Sequence, residues 1–378
     1  MKKIIILFLT ILFLFYLTPI TFASEPSVSA EAAAMIDVKS GRILYQKNAD
    51  EKLPIASLTK IMTAIVAIEE GNLSDMVTTS PQAVGVEGSS IYLRLGEKLS
   101  LEDMLYGLML RSGNDAAVAI AEHIGGSVEG FAFLMNEKAE YLGLENTHFV
   151  NPHGLDHPEH YSSARDLAIL TAYALKNPTF HKIVSTQVKT APLEGMNWDR
   201  KWHNKNKMLR IYEGADGVKT GFTKIAKRCL VSSATRGDRQ IAVVVLNDGN
   251  DWNDSASLLD YGFHDFQEVE IIRKDQIVTD GDERDKDSLQ YVAMRSSIHP
   301  LKEGEESEIR SEVLPLKNTN LIEGMPAAYL QVYVKDVLLD SVPLMIKDRS
   351  TSTDRDLLET GKTHSFWNNW NLFWRTMF

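Results

Sequence analysis

Cys229 is the single cysteine in 378 residues. No internal disulfide can form, and zinc sites built from Cys/His patterns are excluded. An exported protein of this size can rely on its core instead, so the shortage does not argue against export. Positive charge is also scarce: 40 Lys and Arg face 51 Asp and Glu, a net charge of −11. The first 23 residues contribute only Lys2 and Lys3, and without them the balance is about −13. A surplus of that sign argues against a nucleic-acid partner. The apolar stretch Ile4 to Leu17, interrupted only by Thr10, is about 14 residues long, short of the roughly 20 needed to span a bilayer as a helix. It follows two lysines and precedes Thr21-Phe22-Ala23, a small-x-small cleavage pattern. Residues 1–23 therefore read as a secretory signal cut after Ala23.

What is present is an ordinary globular balance, 44% hydrophobic and 24% charged, over a length that allows two or three domains. The chain is organised around Pro54-Ile55-Ala56-Ser57-Leu58-Thr59-Lys60 and the uncharged run Ile61 to Ile68. That run reads as a buried helix. If the helix begins near Ser57, Ser57 and Lys60 share one face. The serine hydroxyl then lies at the positive end of the helix, and burial drives the lysine towards its neutral amine. A neutral amine beside a hydroxyl is a base beside a nucleophile.

In chain order, Glu31 to Val38 and Arg42 to Gln46 form a hairpin candidate across Lys39-Ser40-Gly41. After the Ser57 helix, Ser80 to Glu97 reads as loop, and Leu99 to Leu110 as a second buried helix. Arg111-Ser112-Gly113-Asn114 interrupts it, locally a glycine C-cap joined to an Asn N-cap. Helices follow over Phe131 to Tyr141 and Ser163 to Leu175, flanking the irregular Asn151-Pro152-His153-Gly154-Leu155-Asp156. Strands are expected at Asp216 to Gly221, Cys229 to Thr235 and Gln240 to Leu246, then a helix from Asp251 to Phe266. Strands at both ends with helices between imply one antiparallel sheet and a helical lobe, an α+β domain over 24–267. Residues 268–347 alternate short apolar runs with charged turns and read as a small all-β domain.

Ser57-x-x-Lys60, Ser112-Gly113-Asn114 and Lys219-Thr220-Gly221 form, in order, the motif set of penicillin-binding proteins and class A β-lactamases. In this chemistry Ser57 attacks an acyl carbon and Lys60 takes its proton. Ser112 relays the proton to the leaving nitrogen, and Asn114 holds Lys60 or the substrate amide. Lys219 and Thr220 suit a substrate carboxylate, and Gly221 lets the substrate backbone lie against the strand. The backbone N–H groups of Ser57 and Phe222 are the oxyanion-hole candidates. His153 and Asn151 read as supports of an irregular loop, Arg165 beside Asp166 as an ion pair, Asn204 and Asn206 as loop braces, and Cys229 as a buried strand residue.

The chain resembles the low-molecular-mass penicillin-binding proteins of the serine D-Ala-D-Ala carboxypeptidase type. The likeness runs from about Ala32 to Asp265 and includes Asn151-Pro-His-Gly-Leu-Asp, Ser163-Ala-Arg-Asp and Asp216-Gly-Val-Lys-Thr-Gly-Phe-Thr. The resemblance implies a β-lactamase/transpeptidase-like fold and a small second β domain. It further implies removal of the terminal D-alanine from peptidoglycan pentapeptide stems, with acylation by β-lactam antibiotics and no cofactor or metal. Phe222 departs from the family pattern, which carries histidine there. A β-lactamase would need a Glu-x-x-Leu-Asn element between the second and third motifs, and none exists. A non-catalytic wall-binding protein or β-lactam sensor is a rival reading, and so is an endopeptidase built on the same site.

The tail has its own signal. Phe366, Trp367, Trp370, Phe373, Trp374, Met377 and Phe378 fall within about 140° of a helical wheel. After a polar linker from residue 348, this stripe reads as an in-plane amphipathic helix on a membrane surface. The expected location is the outer face of the cytoplasmic membrane.

Overall fold

The structure is a computed structural model that describes residues 25–193, 195–280, 289–316 and 325–347. The signal segment and the aromatic tail lie outside the described residues.

A five-stranded antiparallel sheet forms the spine. Strands β1 (Ala32–Asp37) and β2 (Ile43–Lys47) are the expected hairpin, and β7 (Ala215–Thr223), β8 (Lys227–Arg236) and β9 (Arg239–Leu246) complete the sheet in the order β2-β1-β9-β8-β7. Side chains alternate across a strand, and here both faces are covered. Ala32, Ala34, Ile36 and Val244 pack into the helical lobe, while Ala33, Met35, Val243 and Val245 pack under helix α8 (Asp251–Asp265) with Leu258 and Leu259. This is why β1 and the Val243-Val244-Val245 run read as unbroken apolar stretches. Strand β7 is at the edge, so its outer row of N–H and C=O groups has no strand partner among the described residues.

Helix α1 (Lys60–Glu70) is the centre of the lobe, with Ile61, Met62, Ala64, Ile65, Val66 and Ala67 all buried. Around it lie α2 (Leu101–Arg111), α3 (Asn114–Gly125), α4 (Val128–Tyr141), α5 (Ala164–Leu175) and α6 (Pro178–Ser185). Two short hairpins, β3 (Met76–Thr78) with β4 (Lys98–Ser100) and β5 (Val188–Ala191) with β6 (Arg200–His203), flank the lobe; helix α7 (Met208–Ile211) leads into β7.

Three details differ from the sequence reading. The second helix starts at Leu101, not Leu99, because Lys98–Ser100 pair with Met76–Thr78 and the Ser100 hydroxyl caps the helix by accepting from Asp103 N at 3.1 Å. Between α2 and α3, Ser112 is the left-handed C-cap (φ 64°) and Gly113 the N-cap, so the Asn114 side chain is free of capping duty. Arg165 does not pair with Asp166. Its guanidinium reaches Asp50 at 2.6 Å and Gln46 at 2.6 Å, while Asp166 accepts from Asn146 N and Thr147 Oγ1. Neighbouring helical residues point roughly 100° apart, so adjacency in sequence does not bring such a pair together.

The β-rich part begins without a break, since β10 (Phe266–Ile272) continues from α8 and pairs with β13 (Ser297–Lys302). Strands β11 (Ile277–Thr279), β12 (Gln290–Ala293), β14 (Ile309–Pro315), β15 (Ala328–Val334) and β16 (Val337–Ile346) form a second sheet, ordered β11-β12-β16-β15-β14. Tyr291, Leu330, Val332 and Leu344 lie in its own core. Arg42 joins the two parts: its Nη2 donates to both carboxylate oxygens of Glu305, each at 2.8 Å.

Candidate active site

Ser57 is positioned by a tight turn rather than by an α-helix. Ala56–Thr59 form a single 3₁₀ turn that runs into α1 at Lys60, and Ala56 has φ 48°. The expectation that a helix heads at Ser57 is correct in place but not in type. Thr59 Oγ1 donates to Ala56 O at 2.8 Å, and His160 Nε2 lies 2.7 Å from the same hydroxyl. His160 Nδ1 accepts from Val150 N at 3.1 Å, which leaves the ring neutral with its proton on Nε2, donating to Thr59. Burial, with smaller contributions from His148, His157 and Lys60, brings its pKa down to about 4.

Gly154 closes the other side. It has φ 85°, and a Cβ there would lie 1.9 Å from Ala56 O. Gly154→Ala should cost about 2–4 kcal/mol of stability, because the backbone of the turn has nowhere to move. Thermal denaturation would measure it, and a change under about 0.5 kcal/mol would show that the turn relaxes.

Lys60 is completely buried. Its Nζ lies 2.7 Å from Asn114 Oδ1, 2.6 Å from His153 O and 3.1 Å from Ser57 Oγ. Asn114 Oδ1 and the His153 carbonyl can only accept. They therefore take both N–H bonds of a neutral amine and leave its lone pair for the Ser57 proton. Burial is the main force that puts the Lys60 pKa well below the ordinary lysine value; Lys219 and Lys205 push the same way and Asp115 opposes them.

Asn114 is itself fixed, with Nδ2 donating to Glu87 O at 2.5 Å and its backbone N donating to Ser89 O at 2.7 Å. Asp115 holds the same loop by accepting from Ile91 N at 3.0 Å and Ser90 Oγ at 2.5 Å. Ser112 is buried, and its hydroxyl makes no hydrogen bond to a described residue.

Strand β7 forms the facing wall. Lys219 is 2% exposed and donates to Thr220 O at 2.8 Å; burial, then the Lys205 charge, lowers its pKa to about 7. A Cβ on Gly221 would sit 3.3 Å from Ser57 N. The strand and the Ser57 turn thus approach closely, and a side chain at this position would need the turn to give by a few tenths of an ångström. Phe222 points outward, 65% exposed. Asn206 braces the strand by donating to Gly217 O at 2.7 Å, as its loop reading expected. Asn204 donates to Val184 O and Thr186 O.

Residues 20–250 match the family model described as Peptidase S11, D-alanyl-D-alanine carboxypeptidase. The chain belongs to this family. It is 38% identical over 295 residues to the D-alanyl-D-alanine carboxypeptidase DacF of Bacillus subtilis (strain 168), covering 74% of this chain and 75% of that protein. It is 39% identical over 295 residues to DacC of Escherichia coli (strain K12), covering 70% of each. Among solved structures, penicillin binding protein 5 from Haemophilus influenzae superposes with a TM-score of 0.71 at 31% identity, covering 86% of this chain and 98% of that one. The fold and the activity expected from the motifs both hold: the protein is a D-alanyl-D-alanine carboxypeptidase on a penicillin-binding-protein fold.

In this carboxypeptidase several residues of the site escaped the sequence reading. Thr59 and His160 fix the turn, and Lys205, hydrogen-bonded to Ser89 Oγ at 2.9 Å, adds positive charge near the two buried lysines. Asn151 and His153 do support their loop, with Asn151 Oδ1 accepting from Gly154 N at 2.7 Å. That loop also delivers the His153 carbonyl to Lys60, a backbone contribution that no side-chain pattern announces.

Proposed function

We propose that Ser57 is the acylated nucleophile and that Lys60, as the neutral amine, is its general base. The observation that carries this is the Lys60 amine, fully buried and held by two acceptors and the Ser57 hydroxyl. Ser112 passes the proton on to the leaving D-alanine nitrogen, and Asn114 keeps Lys60 in register. Lys219 and Thr220 receive the terminal carboxylate, and the N–H groups of Ser57 and Phe222 stabilise the oxyanion. The substrate is the pentapeptide stem of peptidoglycan, laid along the free edge of β7 as an added strand. β-Lactams acylate the same serine. Mass spectrometry of a synthetic pentapeptide stem should show loss of one D-alanine, far faster than penicillin is hydrolysed. Comparable rates for the two would favour a β-lactamase instead.

We further propose that the mature enzyme works on the outer face of the cytoplasmic membrane, held by the tail 366–378. Three tryptophans and three phenylalanines in those 13 residues need an apolar partner, and a helix of about 20 Å is too short to span a bilayer. Lys362 and Arg375 are its only nearby basic residues, so attachment should be hydrophobic and resist salt. Residues 24–350 are expected to fractionate as a soluble, active enzyme, whereas the full mature chain leaves membranes with detergent but not with salt of about 1 M. Equal solubility of both forms would refute the anchor.

A further inference from the structure

Beyond the outer end of β7 lies a pocket of about 420 Å³ between the segment leading to Ser57 and the segment after Gly154. Pro54, Tyr161 and Ile225 form its apolar walls, and Lys52 and Asp156 bring one charge of each sign to its lining. Thr223 Oγ1 donates to Asp156 Oδ1 at 2.7 Å, tying this carboxylate to the last residue of the strand. Lys52 Nζ lies over the Tyr161 ring, 5.0 Å from its centroid. Both charged side chains are exposed, and neither forms an ion pair with a described residue. Ile225 is 65% exposed, so its side chain is open to a ligand in the pocket.

The direction of the substrate gives the pocket its meaning, and this step rests on the roles proposed above. With the terminal carboxylate at Lys219 and Thr220 and the scissile carbonyl at the N–H of Phe222, the peptide runs towards Thr223 and Ile225 as it is followed upstream. The residue before the penultimate D-alanine is the third of the stem, a diamino acid with a long side chain. Ile225 lies three positions past Phe222, within about 11 Å of chain, so that side chain can reach the pocket.

We propose that this pocket is the subsite for the third stem residue and that it selects a side chain ending in both an amine and a carboxylate. The methylene stem lies between Pro54, Tyr161 and Ile225, the distal ammonium faces Asp156 and the distal carboxylate faces Lys52. A side chain ending in a bare amine satisfies only Asp156 and leaves Lys52 without its partner.

The test compares stem pentapeptides that differ only at the third residue: meso-diaminopimelate, the same residue with its distal carboxylate amidated, and L-lysine. Initial rates of D-alanine release give kcat/KM for each, and acetyl-D-Ala-D-Ala, which ends before the pocket, serves as the reference. The expected order puts diaminopimelate about tenfold above the other two. In Lys52→Ala that preference should vanish, and Ile225→Ser, which removes the apolar wall without adding a charge, should lower the ratio of stem to reference for all three peptides. The rate of labelling by a fluorescent penicillin reports whether each variant retains a folded site. Equal kcat/KM for the three peptides, or a preference that survives in labelled Lys52→Ala, would overturn the subsite. Failure to release D-alanine even from acetyl-D-Ala-D-Ala would overturn the underlying catalytic reading as well.

Discussion

Ser57→Ala is expected to abolish covalent labelling by a fluorescent penicillin and to slow D-alanine release by about 10⁴-fold or more. The substitution removes one oxygen from a half-buried position and leaves the 3₁₀ turn intact, because the bond that closes it runs from Thr59 to Ala56 O. The folded state should therefore survive. No substitute nucleophile has the same support. Ser112 has no base within hydrogen-bond distance among the described residues, and Cys229 is buried in β8 with burial raising its thiol pKa to about 12. Covalent labelling that persists in Ser57→Ala would disprove the assignment, and peptide mass spectrometry would locate the residue that carries it.

The second large effect belongs to Lys60. Lys60→Ala removes the only amine in hydrogen-bond contact with the Ser57 hydroxyl among the described residues, and general-base removal costs about 10²–10⁴-fold in acylation rate. The larger end of that range is expected here, because the substitution also strips Asn114 Oδ1 and His153 O of their shared partner. Stopped-flow acylation by a chromogenic cephalosporin would measure it. A loss below tenfold would mean that another group takes the serine proton.

The pH dependence follows from the two buried lysines. With Lys60 as the neutral base proposed above, kcat/KM should fall on the acid side as pH drops through its lowered pKa. Lys219 must be charged to receive a carboxylate, so kcat/KM in the free enzyme should fall as pH rises through about 7. The result is a bell. Lys219→Arg should move the basic limb out of the accessible range, since a guanidinium does not lose its proton there. A basic limb unchanged in Lys219→Arg would assign it to some other group.

The sequence alone determined the family, its activity and most of the scaffold. Ser57 and Lys60 lie in one turn of chain, so their meeting depends only on local geometry that three-residue spacing encodes. The central helix was legible as well, because it carries no charge between Lys60 and Glu69, whereas the covering of both sheet faces behind Val243-Val244-Val245 was seen only in the structure. The helix start at Ala164 follows from a capping serine, a signal confined to four residues, whereas the start at Leu101 needed the pairing of Lys98–Ser100 with Met76–Thr78 to be seen.

Tertiary structure decided what tunes that chemistry. Lys60 meets the His153 carbonyl across 93 positions, and Thr59 meets His160 across 101. Contacts at such separations leave no periodic trace in the chain. A backbone carbonyl, moreover, has the same identity at every residue, so nothing in the letters marks that of His153. Arg165 shows the converse error: its acidic neighbour in sequence points elsewhere, and the fold supplies Asp50 instead. The pKa of Lys60 is likewise a property of burial and of the Lys219 and Lys205 charges around it, which exist only once the lobe closes against the sheet.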